Sequence, residues 1–77
     1  MAGNVVAYVL VVTDVGKEHE VVEKLQGING VTIAQTVYGE FDVITKVECG
    51  DLKTLDSSIT QIRKIESIIR TMTLISG

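Results

Sequence analysis

The sequence predicts an α+β fold with four strands and two helices in the order β-α-β-β-α-β, within a single domain that spans residues 1–77. Three observations predict it. Residues 5–12 are an unbroken apolar run, typical of a central strand that is buried on both faces. Residues 17–26 and 52–62 place apolar side chains at helical spacing. Three further segments are rich in β-branched residues and lie between turn-forming residues: 31–37, 41–48 and 68–75.

The first half of the chain is a strand, a turn and a helix. Asp14 follows the apolar run and is predicted to cap the helix at residues 17–26. In that helix Val21, Val22 and Leu25 share one face, while acidic side chains occupy the other face and the first turn, where the helix dipole favours them. A strand at residues 31–37 follows.

The strand at residues 31–37 alternates in sequence and is more polar than the first, so it is predicted at a sheet edge. Val31 and Ile33 are expected on one face, and Thr32 and Ala34 on the other. It leads into a predicted tight hairpin, residues 37–44, with a two-residue type II′ turn at Gly39-Glu40, because glycine tolerates the positive φ of the first turn position.

The second half repeats the same pattern. Asp51 is predicted to cap the second helix, whose stripe includes Leu52, Leu55, Ile59 and Ile62. Right-handed crossovers in both halves then give the split βαβ, or ferredoxin-like, arrangement: a four-stranded antiparallel sheet in the order 4-1-3-2 with two helices on one face. The apolar strand at residues 5–12 takes a central position in this order, as its composition requires.

One face of this sheet is left without helices. The central strand is apolar on that face as well, and exposure of several large aliphatic side chains would forfeit several kcal/mol, comparable with the stability of a small domain. An apolar patch of this size indicates an interface. We therefore expect a homodimer formed face to face with two-fold symmetry.

Composition excludes several classes of function. The net charge is −3 and the seven basic residues are scattered, which argues against direct nucleic-acid binding. The longest apolar run is far shorter than the roughly 20 residues that span a bilayer, and we expect neither a membrane segment nor a signal peptide. Cys49 has no cysteine partner, which favours a reducing, cytoplasmic location, and no residues at metal-ligand spacing predict a metal or another cofactor.

The hairpin concentrates groups that could bind a zwitterion such as an amino acid. Glu40 and Asp42 could pair with an ammonium group, and Gly39 lets a ligand approach the backbone. Tyr38 or Phe41 could line a side-chain pocket, and hydroxyl groups could come from a later strand, from Thr71 and Thr73. Alternatively, these residues form an ordinary turn and ordinary strand positions. On the residues alone the second interpretation has the better support, because such turns are common.

His19 is the single histidine and falls in the first turn of a polar helix. No acid or nucleophile is placed beside it by the sequence. We therefore expect a surface position and no catalytic residue.

The hairpin sequence Val37-Tyr38-Gly39-Glu40-Phe41-Asp42-Val43-Ile44-Thr45-Lys46-Val47 resembles the signature of the ligand-sensing (RAM-type) domain of Lrp/AsnC transcriptional regulators. Gly30-Val31 and the segment Arg70-Thr71-Met72-Thr73 match as well. The resemblance implies dimers joined through their sheets, rings of octameric or decameric type, and amino-acid effectors bound between dimers near the hairpin. It also implies a DNA-binding helix-turn-helix, for which the four residues before the first strand leave no room. We therefore expect a stand-alone sensing module that acts through full-length relatives.

Three candidate functions follow. The first is a non-enzymatic module that senses an amino acid and modulates transcription through partner Lrp/AsnC-type regulators. The alternatives are a small dimeric α+β-barrel enzyme, of monooxygenase or isomerase type, or a purely structural assembly subunit. The enzyme would need a partnered His, Arg or Tyr in a pocket, and the sequence places no such partner.

Overall fold

The predicted order of elements is confirmed in a computed structural model, which describes residues 4–76. Residues 1–3 and 77, the two ends of the predicted domain, lie outside the described residues. The elements are β1 (Val5–Thr13), α1 (Glu18–Gln26), β2 (Val31–Thr36), β3 (Val43–Cys49), α2 (Leu52–Arg63) and β4 (Ile68–Ser76).

The four strands form one antiparallel sheet in the order β2-β3-β1-β4, which is the predicted order 4-1-3-2. Helix α1 packs over β2 and β3, and α2 packs over β3 and β1. Because side chains alternate along a strand, one face of the sheet supplies the core. Its buried aliphatic residues are Ala7, Val9, Val11, Val43 and Val47, and the helices add Val21, Leu25, Leu55 and Ile62.

The opposite face of the sheet carries no helix. Its central rows place Leu10 between Ile44 and Met72, and Tyr8 between Lys46 and Leu74. Leu74 is 52% exposed and Met72 is 44% exposed. We call this surface the open face. Across residues 4–76 no helix is both long enough and apolar enough to cross a membrane.

The two helix starts differ. Asp51 caps α2 as predicted, since its carboxylate accepts a hydrogen bond of 2.7 Å from the Thr54 N–H. That bond favours the charged carboxylate and lowers the pKa of Asp51. The predicted Asp14 cap is wrong, because α1 begins at Glu18 and the Lys17 position makes no side-chain capping bond. The Asp14 N–H instead donates to the Ser67 carbonyl at 2.9 Å.

Strand β2 departs from the predicted alternation. Val31 lies opposite Val47 but Ile33 lies opposite Lys46, so Thr32 is an extra residue in a β-bulge. The bulge reverses the faces of the residues that follow it. Ala34 therefore packs against the core beside Val31, and Ile33 lies on the open face with 45% of its surface exposed.

Two core positions are tightly constrained. Gly30 has φ +95°, and a Cβ at this position would lie 2.8 Å from the Cys49 sulfur and 3.3 Å from the Glu48 carbonyl oxygen. Only glycine combines this backbone angle with this approach. In β3, Thr45 is fully buried, and among the described residues its hydroxyl has no hydrogen-bond partner.

Candidate functional site

The connection between β2 and β3 is joined to the end of β1 by two hydrogen bonds from one residue. The Asp42 N–H donates to the Val11 carbonyl at 2.8 Å, and the Asp42 Oδ2 accepts from the Thr13 N–H at 2.9 Å. Thr13 is only 4% exposed, so its N–H would otherwise be unsatisfied. Asp42 therefore has a structural role that the sequence did not indicate, because the contact depends on tertiary structure.

The predicted two-residue turn is wrong. The Val37 N–H donates to the Asp42 carbonyl at 2.9 Å, and this bond closes a loop of four residues: Tyr38, Gly39, Glu40 and Phe41. Glycine is still required, since Gly39 has φ +135°. No atom lies within 4 Å of a Cβ built there, so the backbone of the loop is open to a ligand.

The loop contacts the start of β4 through an aromatic ring. The Arg70 guanidinium lies 5.4 Å from the centroid of the Phe41 ring, a cation–π contact. Arg70 lies opposite Val12 and Thr71 lies opposite Val11, so both belong to the end of the sheet that carries the loop. No binding role was predicted for Arg70 from the sequence. The sequence feature that could have identified Arg70 is its position as the single charged residue of the β4 strand.

A cleft of about 270 Å³ lies between the base of the loop and the start of α1. Tyr38, Thr36, Val37 and Asp42 line one side, and Glu18 and His19 line the other. The sequence predicts His19 on the surface without a partner. The structure confirms that the His19 side chain is exposed. His19 and Glu18 nevertheless line the same cleft as two of the predicted site residues, Tyr38 and Asp42.

A second cleft of about 330 Å³ lies between the end of α2 and the start of β4, lined by Arg63, Ile68, Ile69, Arg70 and Thr71. Thr71 thus lines a different cleft from Asp42. Thr73 lies opposite Val9, one side-chain row further from the loop, and lines neither cleft. Glu40 is exposed at the loop.

Within the described part of the chain, no three His, Cys, Asp or Glu side chains are grouped as metal ligands. This end of the sheet therefore carries two small clefts on either side of an open loop backbone, one lined by the Asp42 carboxylate and the other by the Arg70 guanidinium. These groups suit non-covalent binding of a small polar molecule.

A sequence model of the Lrp/AsnC ligand binding domain matches residues 6–76. The chain belongs to the Lrp/AsnC ligand-binding domain family. Two solved structures similar to this Lrp/AsnC domain are a hypothetical protein from Pyrococcus horikoshii and FFRP-DM1. Each is 50% identical over 95% of this chain with a TM-score of 0.89, and the match covers 89% and 99% of those chains, respectively.

One more distant structure contains a similar domain within a longer protein. E. coli AsnC is 26% identical over 94% of this chain with a TM-score of 0.83, and the match covers 50% of the AsnC chain.

E. coli NapD, a Tat proofreading chaperone, has a TM-score of 0.84 over 100% of this chain and 82% of its own, but at 20% identity it shows the fold alone. Among curated proteins, no significant match is found.

Proposed function

We propose that the chain is a non-enzymatic, oligomeric module that binds a small amino-acid-like effector at the β2–β3 loop. The observation that carries the proposal is the position of Asp42 at the junction of the loop, the end of β1 and the 270 Å³ cleft. Ligand pockets begin at about 300 Å³, so a cleft of this size suits a single amino acid better than a larger molecule.

The groups at the loop complement a zwitterion. Asp42 uses Oδ2 for Thr13, and Oδ1 accepts no hydrogen bond from the described residues, which leaves it for a ligand ammonium group. The Arg70 guanidinium is held against Phe41 and lines the second cleft, so it would provide a cation for the carboxylate of a ligand that extends past the loop from the first cleft, or of one bound to a neighbouring subunit. The backbone at Gly39 is open to contact with a ligand, and the exposed Tyr38 ring would pack against the side chain of that ligand. Glu40, Thr71 and Thr73 would then contribute from this subunit or from a neighbouring one.

The open face supports the dimer. Ile33, Met72 and Leu74 are each about half exposed, and Tyr8 is 37% exposed. At about 2 kcal/mol for full burial of one such side chain, covering these four contributes about 4 kcal/mol per chain, and a two-fold interface doubles it. That gain is comparable with the cost of association, estimated at roughly 4–15 kcal/mol. Assembly of dimers into an octameric or decameric ring would place the loops at contacts between dimers.

The non-enzymatic assignment rests on family membership and on the chemistry of the clefts. His19 lines the first cleft, but its ring makes no hydrogen bond with any described residue. A general base in an acid–base enzyme is normally oriented by such a partner. Hence the enzyme gains no support from the geometry.

The route to transcription is proposed from the match to E. coli AsnC. Because the chain matches half of that protein, mixed assembly with full-length Lrp/AsnC regulators would link effector binding to DNA without direct contact between this domain and nucleic acid. The single buried Cys49 fits a cytoplasmic setting for this role.

The test is calorimetric titration of the assembled protein with each common amino acid, using wild type, Asp42→Asn, Arg70→Gln and the control Glu23→Gln. We expect one class of amino acid to bind wild type and the control. Loss of one charged contact costs roughly 1.5–3 kcal/mol, so Asp42→Asn and Arg70→Gln should bind at least about tenfold more weakly. No binding by any amino acid would contradict the effector class, and equal binding by Asp42→Asn would contradict the site.

A further inference from the structure

Two hydrogen bonds to Asp42 show toward which neighbouring strand each residue of β1 directs its backbone N–H and C=O groups. The Val11 carbonyl and the Thr13 N–H both bond to Asp42, at the end of β3. Backbone N–H and C=O groups of one strand residue point to the same side, and successive residues alternate. The odd-numbered residues of β1 therefore bond toward β3, and the even-numbered residues, including Tyr8 and Leu10, bond toward β4.

The same alternation fixes the directions in β4. Met72 lies opposite Leu10 and Leu74 lies opposite Tyr8, so Met72 and Leu74 direct their backbone groups inward to β1. The N–H and C=O groups of the alternate residues, Thr71, Thr73 and Ile75, therefore point outward from the sheet. No described residue bonds to these groups, because β4 pairs with β1 alone.

This outer edge lacks the features that block strand pairing. The strand runs from Ile68 to Ser76, and Arg70 is its single charged residue. It contains neither proline nor, from Arg70 onward, any irregularity of register. Helix α2 packs over β1 and β3, and Ile75 remains 57% exposed. A long edge of regular register with a single charged residue is a template for another strand.

The opposite edge of the sheet is different. Strand β2 is shorter, it contains the Thr32 bulge, and α1 packs over it. Bulges and covering helices are the usual means by which proteins prevent edge pairing. Only one of the two edges is therefore open to an added strand.

We propose that the outer edge of β4 pairs with the same edge of a second copy of this chain, antiparallel across a two-fold axis at Met72. The strand maps onto itself in this register, with Ile68 opposite Ser76 and Thr71 opposite Thr73. Thr71 and Thr73 each direct N–H and C=O outward, so the two strands exchange all of these bonds. Arg70 then lies opposite Leu74, so no like charges meet across the axis.

This interface is separate from the open face. The open face buries side chains such as Leu10, whereas the edge pairs backbone groups in the plane of the sheet. In a dimer formed by the open face alone, the Thr71 and Thr73 amides would stay in contact with water. One protomer has room for both contacts, because the edge adds a strand beside the sheet and not over it.

The first measurement is amide hydrogen exchange of the assembled wild-type protein by NMR. We expect the Thr71 and Thr73 amides to exchange at least about a hundredfold more slowly than in an unstructured peptide, as amides of paired strands do. Dilution to the monomer should remove that protection. The purified sample contains only this chain, so concentration-dependent protection reports pairing between copies. Free exchange of both amides in the assembled protein would overturn the proposal.

The second measurement is the mass of variants by sedimentation. Thr73→Pro removes an outward N–H without removing a bond within the sheet, and proline is tolerated at edge strands in such positions. We expect this variant to fall to the species held by the open face, and Thr73→Val, which keeps the N–H, to retain the full assembly. Thr36→Pro removes an outward N–H from β2, and this variant should also retain the full assembly. If Thr36→Pro reduced the mass as well, the edges would pair β4 to β2, and the two-fold pairing would be wrong.

Discussion

Replacement of Asp42 separates the structural role of its carboxylate from the proposed binding role. Asp42→Ala removes the acceptor of the 2.9 Å bond from the Thr13 N–H, at a residue that is 4% exposed. An unsatisfied buried N–H costs about 1–3 kcal/mol. Asp42→Asn keeps an acceptor oxygen at the same place without the charge, so it should cost no more than about 1 kcal/mol.

Thermal unfolding of both variants measures the first effect, and titration with the effector measures the second. In a domain of this size 1 kcal/mol corresponds to roughly 4–8 °C, so we expect Asp42→Ala to melt about 5–20 °C below wild type and Asp42→Asn to melt within a few degrees of it. Both variants should lose effector affinity, because both lack the negative charge. A fully stable Asp42→Ala would refute the structural argument.

Four further outcomes are expected. Leu10→Lys places a charge at the centre of the open face and should abolish dimers held through it, as measured by sedimentation. Gly30→Ala should destabilise by roughly 2–4 kcal/mol in urea unfolding, against about 1 kcal/mol for the control Gly16→Ala, which has a positive φ but open surroundings. Thr45→Val removes a buried hydroxyl without a partner and should raise stability by about 1 kcal/mol; a loss would indicate a hidden partner. The lowered pKa of Asp51 means that its cap stabilises the fold above pH 4 or so and that this stabilisation is lost as pH falls through the folded-state pKa; the unfolding curves of wild type and an alanine variant at this position should therefore converge in acid.

Elements with strong local signals were predicted correctly. The apolar run of β1 and the aspartate at the start of α2 each depend on neighbouring residues, and both are confirmed. The strand order followed from the polarity of each strand together with right-handed crossovers. What failed was set by contacts between distant residues. Nothing in the sequence near Thr32 marks a bulge, which arises because Val31 and Ala34 both pack against the core.

The candidate site was predicted less completely for the same reason. The loop was located correctly, but its length is set by the bond between Val37 and Asp42, and not by the glycine. The contact of Arg70 with Phe41 and the approach of His19 to the loop join segments that are far apart in the chain. Local patterns carry no information on such contacts, since they depend on how the crossovers place strand ends together.

The pairing of β1 with β4 has a consequence for protein synthesis. Val6 in β1 lies opposite Ser76 in β4, so during synthesis β1 can pair with this neighbour only after β4 has been made. Until then a valine-rich strand has one unpaired edge. Contacts between such distant residues slow folding and leave the growing chain exposed to aggregation. We therefore expect the nascent domain to complete its sheet only after β4 has left the ribosome.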